Sequence, residues 1–219
     1  MQVNITNGFY FNEYMKKRLD GVFIPFNEVL IDGELLFPLF DQAFLEKRIH
    51  LHGVTEKDYL AKMDFFFQPD AMKNYDEITL WFGLDAFCQV NMLALLAYLE
   101  QIGYKGKIFY QAIDDASFEV VETKTELVLG EFLSAYQQLQ SAQPSFTKYP
   151  FVNNGINDYL YVKNKDNHFY RYIKENLGKV SDKQLLIDLL KDSAKFGLSD
   201  AYLQKMINEV ALSKLSLLN

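Results

Sequence analysis

A single cysteine, Cys88, in 219 residues excludes an internal disulfide and suits a reducing compartment. Only five prolines and 23% charged residues leave no composition for a long disordered tract. No run reaches eighteen apolar residues, and the longest candidate is interrupted by Gln89 and Asn91, so no bilayer-spanning helix is expected. The opening MQVNIT is strand-like, without the basic and apolar segments of a secretory leader, and the expected location is cytoplasmic. Histidine is scarce too. Of the three, His50 and His52 stand two apart, on different faces of a helix, and no ligand spacing links the carboxylates, so no metal site is expected.

Positive charge is in deficit. The net charge is −7, and residues 1–162 carry 22 acidic against 12 basic side chains, a balance that repels nucleic acid. Residues 163–219 reverse it, with 10 basic against 7 acidic. What is abundant is apolar and aromatic surface, 49% and 16% of the chain, enough for a large core.

The chain is organised around Tyr75 to Gly103. Ile78 to Phe82 (ITLWF) reads as a strand covered on both faces. From Phe87 the period changes, and Phe87, Val90, Met92, Leu93, Leu95, Leu96, Ala97 and Leu99 wrap a largely buried helix that ends at Gly103. Asp85 stands where a helix cap accepts backbone N–H groups. Cys88, near that helix's start, is placed where a thiol pKa could be lowered, against the alternative of a small core residue.

Around this centre, Gln2 to Thr6 reads as a first strand, Asn7-Gly8 as a turn and Phe11 to Leu19 as a helix. Val22 to Phe26 is a second strand, which Pro25 assigns to an edge or a strand end. Leu39 to His50 and Glu56 to Phe67 read as helices, the second capped by Thr55 and ended by Pro69-Asp70. Lys107 to Ala112 is a further strand. Phe118 to Leu129 is either a strand with a turn or the lead-in to a helix over Gly130 to Gln140. Helices are expected over Asp158 to Leu177, Ser181 to Phe196 and Ser199 to Leu212, with Ser181 and Ser199 as caps. Strands alternating with helices give an α/β fold: a mostly parallel sheet flanked by helices, with a C-terminal helical portion. The expected organisation is an α/β domain over 1–140, a connecting segment over 141–157 and a helical portion over 158–219.

If the strands are parallel, their carboxyl ends gather Asn7 and Gly8, Asn27 and Glu28, Asp85 and Gln89, and Gln111, Asp114 and Asp115 along one rim. Open α/β sheets bind ligands there, and the acidic lining suits a small polar ligand, a nucleotide or a cationic metabolite. The bland alternative is that loops are polar because they are solvated. Arg48 lies near a helix end, where it complements the dipole. No cofactor and no reaction are specified by these residues.

The run YDEITLWFGLDAFCQVNMLALL resembles the signature of an uncharacterised bacterial group, the domain-of-unknown-function 1835 family, with Asp85, Phe87 and Gln89 at matching spacing. The similarity extends over residues 1–115. It takes in Asn7-Gly8, Glu28, Gly33 and Arg48, which with Asp85 and Gln89 are the positions a ligand-binding role of the family would use; the strand-end cleft adds Asn27 and Asp114, so the candidate ligand-binding residues are Asn7, Gly8, Asn27, Glu28, Arg48, Asp85, Gln89 and Asp114. Phe9-Tyr10 stand where the family has Asp-Ser, and Asn27 where it has arginine. Near the C-terminus, Gly197, Ser199, Asp200 and Tyr202 resemble the second helix-turn-helix of AraC-type regulators, without the segment expected downstream. That implies an alternative, a DNA-binding regulator, although nucleic acid does not suit the charge of the body. A third reading, a protein-interaction module, expects Phe65 to Phe67 to form an exposed apolar patch.

Overall fold

The computed structural model describes residues 1–139, 141 and 144–216. In chain order, β1 (Gln2–Asn7) leads through α1 (Phe9–Lys16) to β2 (Val22–Phe26). Then come α2 (Gln42–His52), α3 (Glu56–Met63), a 3-10 turn (Asp64–Phe67) and α4 (Pro69–Lys73). β3 (Glu77–Phe82), α5 (Ala86–Gln101), β4 (Lys107–Ala112), β5 (Thr125–Leu127) and α6 (Phe132–Gln137) follow. The C-terminal helices are α7 (Pro150–Lys163), α8 (His168–Asn176), α9 (Asp182–Ser193), a second 3-10 turn (Ala194–Phe196) and α10 (Asp200–Ser216).

The five strands form one sheet in the order β2-β1-β3-β4-β5, with β1 to β4 parallel and β5 antiparallel to β4. ITLWF is therefore the central strand of an α/β sheet. Its odd and even positions meet different environments because side chains alternate across a strand. Val3, Ile5, Ile78, Leu80, Phe82, Ile108 and Tyr110 point into the main core, together with α5. The opposite face holds Phe11 and Met15 of α1 with Phe23 and the half-buried Trp81, a smaller cluster. Cover on that face is thinner than the apolar run predicts. Pro25 lies on the edge strand β2, opposite Thr6, where its missing N–H leaves no ladder bond unmade on the outer side.

Every residue of α5 from Cys88 to Leu99 is buried, since the helix lies against α6 and α7 as well as the sheet. An apolar helix covered all round needs no polar stripe.

Several boundaries differ from those the periodicity predicts. α2 starts at Gln42, not Leu39, because Asp41 caps it by accepting the Phe44 N–H at 2.7 Å. Leu39 and Phe40 are buried outside it, so their apolar spacing mimics a helix. The expected helix to Phe67 tightens into a 3-10 turn at Asp64, and Pro69 opens α4 rather than only ending α3. The expected helix over Asp158 to Leu177 is two helices. Asn167 ends one and starts the next, donating to the Tyr161 and Val162 carbonyls and accepting the Tyr170 N–H at 3.0 Å. Of the helix expected over Gly130 to Gln140, α6 covers Phe132–Gln137, while Gln140 lies outside the described residues. Within 141–157, Ala142 and Gln143 also lie outside them, and Pro150 onward is already α7. Asn153, Asn154 and Gly155 read as a loop, yet Gly155 is helical because α7 passes close to α5 there. A β-carbon on it would stand 2.2 Å from that of Gln89. No helix among the described residues is long and apolar enough to cross a membrane.

Candidate functional site

The strand order reverses direction between β1 and β3, the point where parallel sheets open a crevice at their carboxyl ends. The residues that meet there come from three strand ends and the first turn of α5. Asp85 caps α5, its Oδ1 accepting the Cys88 N–H at 2.9 Å. The Cys88 thiol donates to Asp115 Oδ2 at 3.0 Å and accepts from Asn7 Nδ2 at 2.8 Å. Asp85 and Asp115 face each other across Gly83: a β-carbon there would stand 2.1 Å from Asp115 Oδ2 and 3.1 Å from Asp85 Oδ2.

Two carboxyls so close cannot both ionise at the ordinary pH. Burial of its carboxyl end, with the hydrogen bond and charge of Asp85, pushes Asp115 up to about 7, although the residue as a whole keeps an exposed side. Asp115 therefore keeps its proton toward neutrality, beside the Asp85 carboxyl. Burial, then the Asp85 and Asp115 carboxylates, raise the Cys88 thiol well above its ordinary value. Of the two readings of Cys88 the structure bears out the small buried residue and not the lowered thiol: desolvation and two nearby carboxylates outweigh the helix dipole. Asp85, Cys88 and Asp115 place one ligand atom each within 4.8 Å of one another, a spacing that could hold a metal ion and that no pattern along the chain announced.

The C-terminal helices reach the same place. A β-carbon on Gly197, just after the second 3-10 turn, would stand 2.1 Å from Asp85 Oδ1. Asp158 of α7 is raised by burial and by the Asp85 charge, with Lys195 opposing.

The other residues expected at the rim are placed as follows. Gly8, at φ 85°, precedes α1 without a side-chain cap, and Phe9 and Tyr10 beyond it are exposed. Asn27 donates to the Lys62 carbonyl at 3.3 Å. Asp114 turns to its own loop, accepting from the Ser117 and Ala116 N–H groups. Gln89 points inward, donating to the Gly83 carbonyl at 2.6 Å and to Tyr110 Oη at 3.0 Å, while its buried Oε1 meets no donor among the described residues. Gln111 donates to the Glu122 carbonyl.

Glu28 and Arg48 are buried together. Glu28 Oε1 accepts from Arg48 Nη2 at 2.5 Å and Nε at 3.1 Å, and Oε2 accepts from the Tyr59 hydroxyl. Arg48 also donates to the Asp32 and Val29 carbonyls, both at 2.9 Å. Burial opposes ionisation of Glu28, but His52 and Arg48 more than offset it and hold the carboxyl at about 2. Asn91 links this pair to the crevice, donating to the Glu28 carbonyl at 2.7 Å and to Asn7 Oδ1 at 3.2 Å and accepting the Leu30 N–H at 3.1 Å.

The sequence reading passed over Asn91 as a helix interruption. A polar side chain inside an otherwise apolar, buried helix is the signal that could have found it, because such a group must have partners. Asp115, Gly197 and the Tyr59 partner of Glu28 carry no such local signal.

Two further surfaces bear on the alternative readings. α10 packs on the body through Leu203, Met206, Ile207 and Val210, and Lys205 pairs with Asp32 at 2.5 Å, so the face of the DNA-reading alternative nearest Tyr202 is occupied. Phe65 to Phe67 form no exposed patch: Phe66 is fully buried against Phe26, with ring centroids 4.9 Å apart, and its neighbours are half-buried. Phe67 packs on Phe40 and Phe65 on Tyr75, which corrects the expectation of an apolar interaction face there. No protein-family model, curated protein or solved structure matches the chain, so its reading rests on the geometry of its own residues.

Proposed function

We propose that the chain binds a small polar ligand at the crevice between the ends of β1 and β3, through a hydrogen-bond-donating or cationic group placed against Asp85 and Asp115. The observation that carries this is the carboxyl pair itself, Asp85 and Asp115 facing each other across Gly83 at the reversal of the strand order, with Asp115 raised toward neutrality. A singly protonated pair offers both a donor and acceptors, and so complements an amine, an amidine or the amino-bearing edge of a nucleobase. The Asn7 side chain, anchored on the Cys88 sulfur and on Asn91, borders the same place. The resemblance of the Tyr75–Leu96 stretch to the domain-of-unknown-function 1835 family supports the same edge, since Asp85 and Gln89 carry it. The DNA-reading and interaction alternatives have no comparable cluster supporting them among the described residues.

Thermal-shift screening with polyamines, arginine, nucleosides and nucleotides tests the reading. A stabilising compound is expected, and Asp85→Asn with Asp115→Asn is expected to abolish its effect. Asp85→Ser is the informative single change, because serine keeps the helix cap while removing the charge. Absence of any stabilising compound, or an undiminished shift in the double variant, sinks the proposal.

A further inference from the structure

The carboxyl pair lies beneath a chain reversal that belongs to another part of the sequence. Ala194–Phe196 and Gly197 form a tight turn between α9 and α10, and Gly197 takes φ 65°. Asp85 Oδ1 and Cγ are the nearest atoms to its hypothetical β-carbon, at 2.1 and 2.6 Å, followed by Phe87 Cβ at 3.0 Å. Only glycine allows this approach, and the approach brings the turn's backbone onto a carboxyl that already faces Asp115 across Gly83. Phe196, nearly buried, stacks on Tyr161 with centroids 5.5 Å apart and meets Phe169 edge-on, which holds the other side of the turn.

We propose that this turn is a proton-dependent latch: it closes on Asp85 while the Asp85–Asp115 pair holds a proton, and loosens when the pair is fully ionised. Losing the proton places two negative charges side by side across Gly83, one on the half-buried Asp85 and one on Asp115, which keeps an exposed side. Asp85 is tied to α5 by the Cys88 N–H, so it has little freedom to turn away without disturbing whatever lies over it. The turn is what lies over it.

The surroundings strengthen the effect. Asp114 stands next to Asp115 on the β4 side, and the protonated Cys88 thiol faces Asp115 from α5. Asp158 of α7 feels the Asp85 charge, with Lys195 on the turn opposing it, while Asp192 of α9 and His168 of α8 line the groove on the Phe196 side of the turn. Full ionisation of the pair thus adds to a region already short of positive charge. His168 is the imidazole on this side of the turn: its Nδ1 stands 2.7 Å from the Tyr161 hydroxyl, next to Phe196.

Amide hydrogen exchange of the full chain, without added ligand, tests the latch. The Gly197 N–H is bonded to the Ala194 carbonyl and the Leu198 N–H to the Ser193 carbonyl, so both report on the turn. After correction for intrinsic exchange, protection of residues 194–198 relative to 92–99 is expected to fall at least about 5-fold between about pH 6 and pH 8. Asp115→Asn, which removes the second charge, should keep the turn protected at both pH values, and Asp115→Ser should do the same. His168→Gln should retain the wild-type dependence. The latch is overturned if wild-type protection does not change with pH, if the change persists in both Asp115 variants, or if it vanishes in His168→Gln. Swinging of Asp115 into solvent, with the Gly197 amide still protected, would give the first of these results. Because no ligand takes part, failure here leaves the ligand-binding reading to stand or fall on its own screen.

Discussion

Arg48 and Glu28 form an ion pair with both side chains 1% exposed, closed by two bonds from the guanidinium to one carboxylate oxygen at 2.5 and 3.1 Å. The pair joins the end of β2 to α2, and the Tyr59 hydroxyl adds α3. Its geometry leaves little free hydrogen-bonding capacity for a visiting ligand, because the Arg48 donors are spent on Glu28 and on the Asp32 and Val29 carbonyls.

Breaking this pair on one side should be costly. Glu28→Gln or Arg48→Met leaves a buried charge without its counterpart, and each is expected to lower unfolding free energy by about 3–5 kcal/mol in urea titrations. The double variant should lose less than the sum of the two, as coupled neighbours do.

Acid should act through the same carboxylate. Glu28 is held at about 2 in the fold against an ordinary value of 4.5, so the folded state binds its proton less readily than the unfolded chain. Its contribution is fully present above 4.5 and is lost as pH falls toward 2. Urea midpoints measured down this range should show a fall in wild type that is shallower in Glu28→Gln.

Asp115 predicts the opposite slope. Its carboxyl is raised from 3.8 to about 7, so the fold retains a proton that the unfolded chain has lost. That contribution is present below 3.8 and disappears as pH rises through about 7. At about pH 8, Asp115→Asn should be more stable than wild type by about 1 kcal/mol, or about 2–4 °C in Tm, a figure kept small because the residue is partly solvated. A less stable variant at that pH would contradict the raised Asp115 carboxyl.

Asn91 is the structural hinge between the ion pair and the crevice. Asn91→Ala should strand the Leu30 N–H and the Asn7 amide oxygen, lowering stability by about 1–3 kcal/mol, and Asn91→Leu should not recover it although it restores volume. Chemical denaturation of both variants decides whether polarity or volume matters here.

Gly155→Ala separates helix propensity from packing. Alanine is better than glycine inside a helix by about 1 kcal/mol, yet the new methyl would stand 2.2 Å from Gln89 Cβ. The overlap should win, with a net loss of about 1–3 kcal/mol measurable by urea denaturation.

Much of the architecture was legible along the chain because it depends on neighbours. The β-branched and aromatic run of β3, the Asp85 cap three residues before the Cys88 N–H it accepts, and the Ser181 and Ser199 caps are all local chemistry. Pro25 pointed to an edge strand for the same reason. The end of α7 was not legible, because the Asn167 side chain that caps both helices competes with a continuous apolar period. Nor was the true length of α2, since Phe40 is apolar and buried but stands at φ 56°, outside the helix.

The sequence alone determined that strands alternate with helices, that ITLWF is interior and that polar residues follow the strands, since each depends on side chains within a few positions. Tertiary structure decided which of those polar residues meet. It paired Glu28 with Arg48, set Asp115 against a cysteine 27 residues away, and laid Gly197 on Asp85. Burial and the charges of distant neighbours set the proton affinities of Asp115, Cys88 and Glu28, and those are properties of the folded space, which no local pattern encodes.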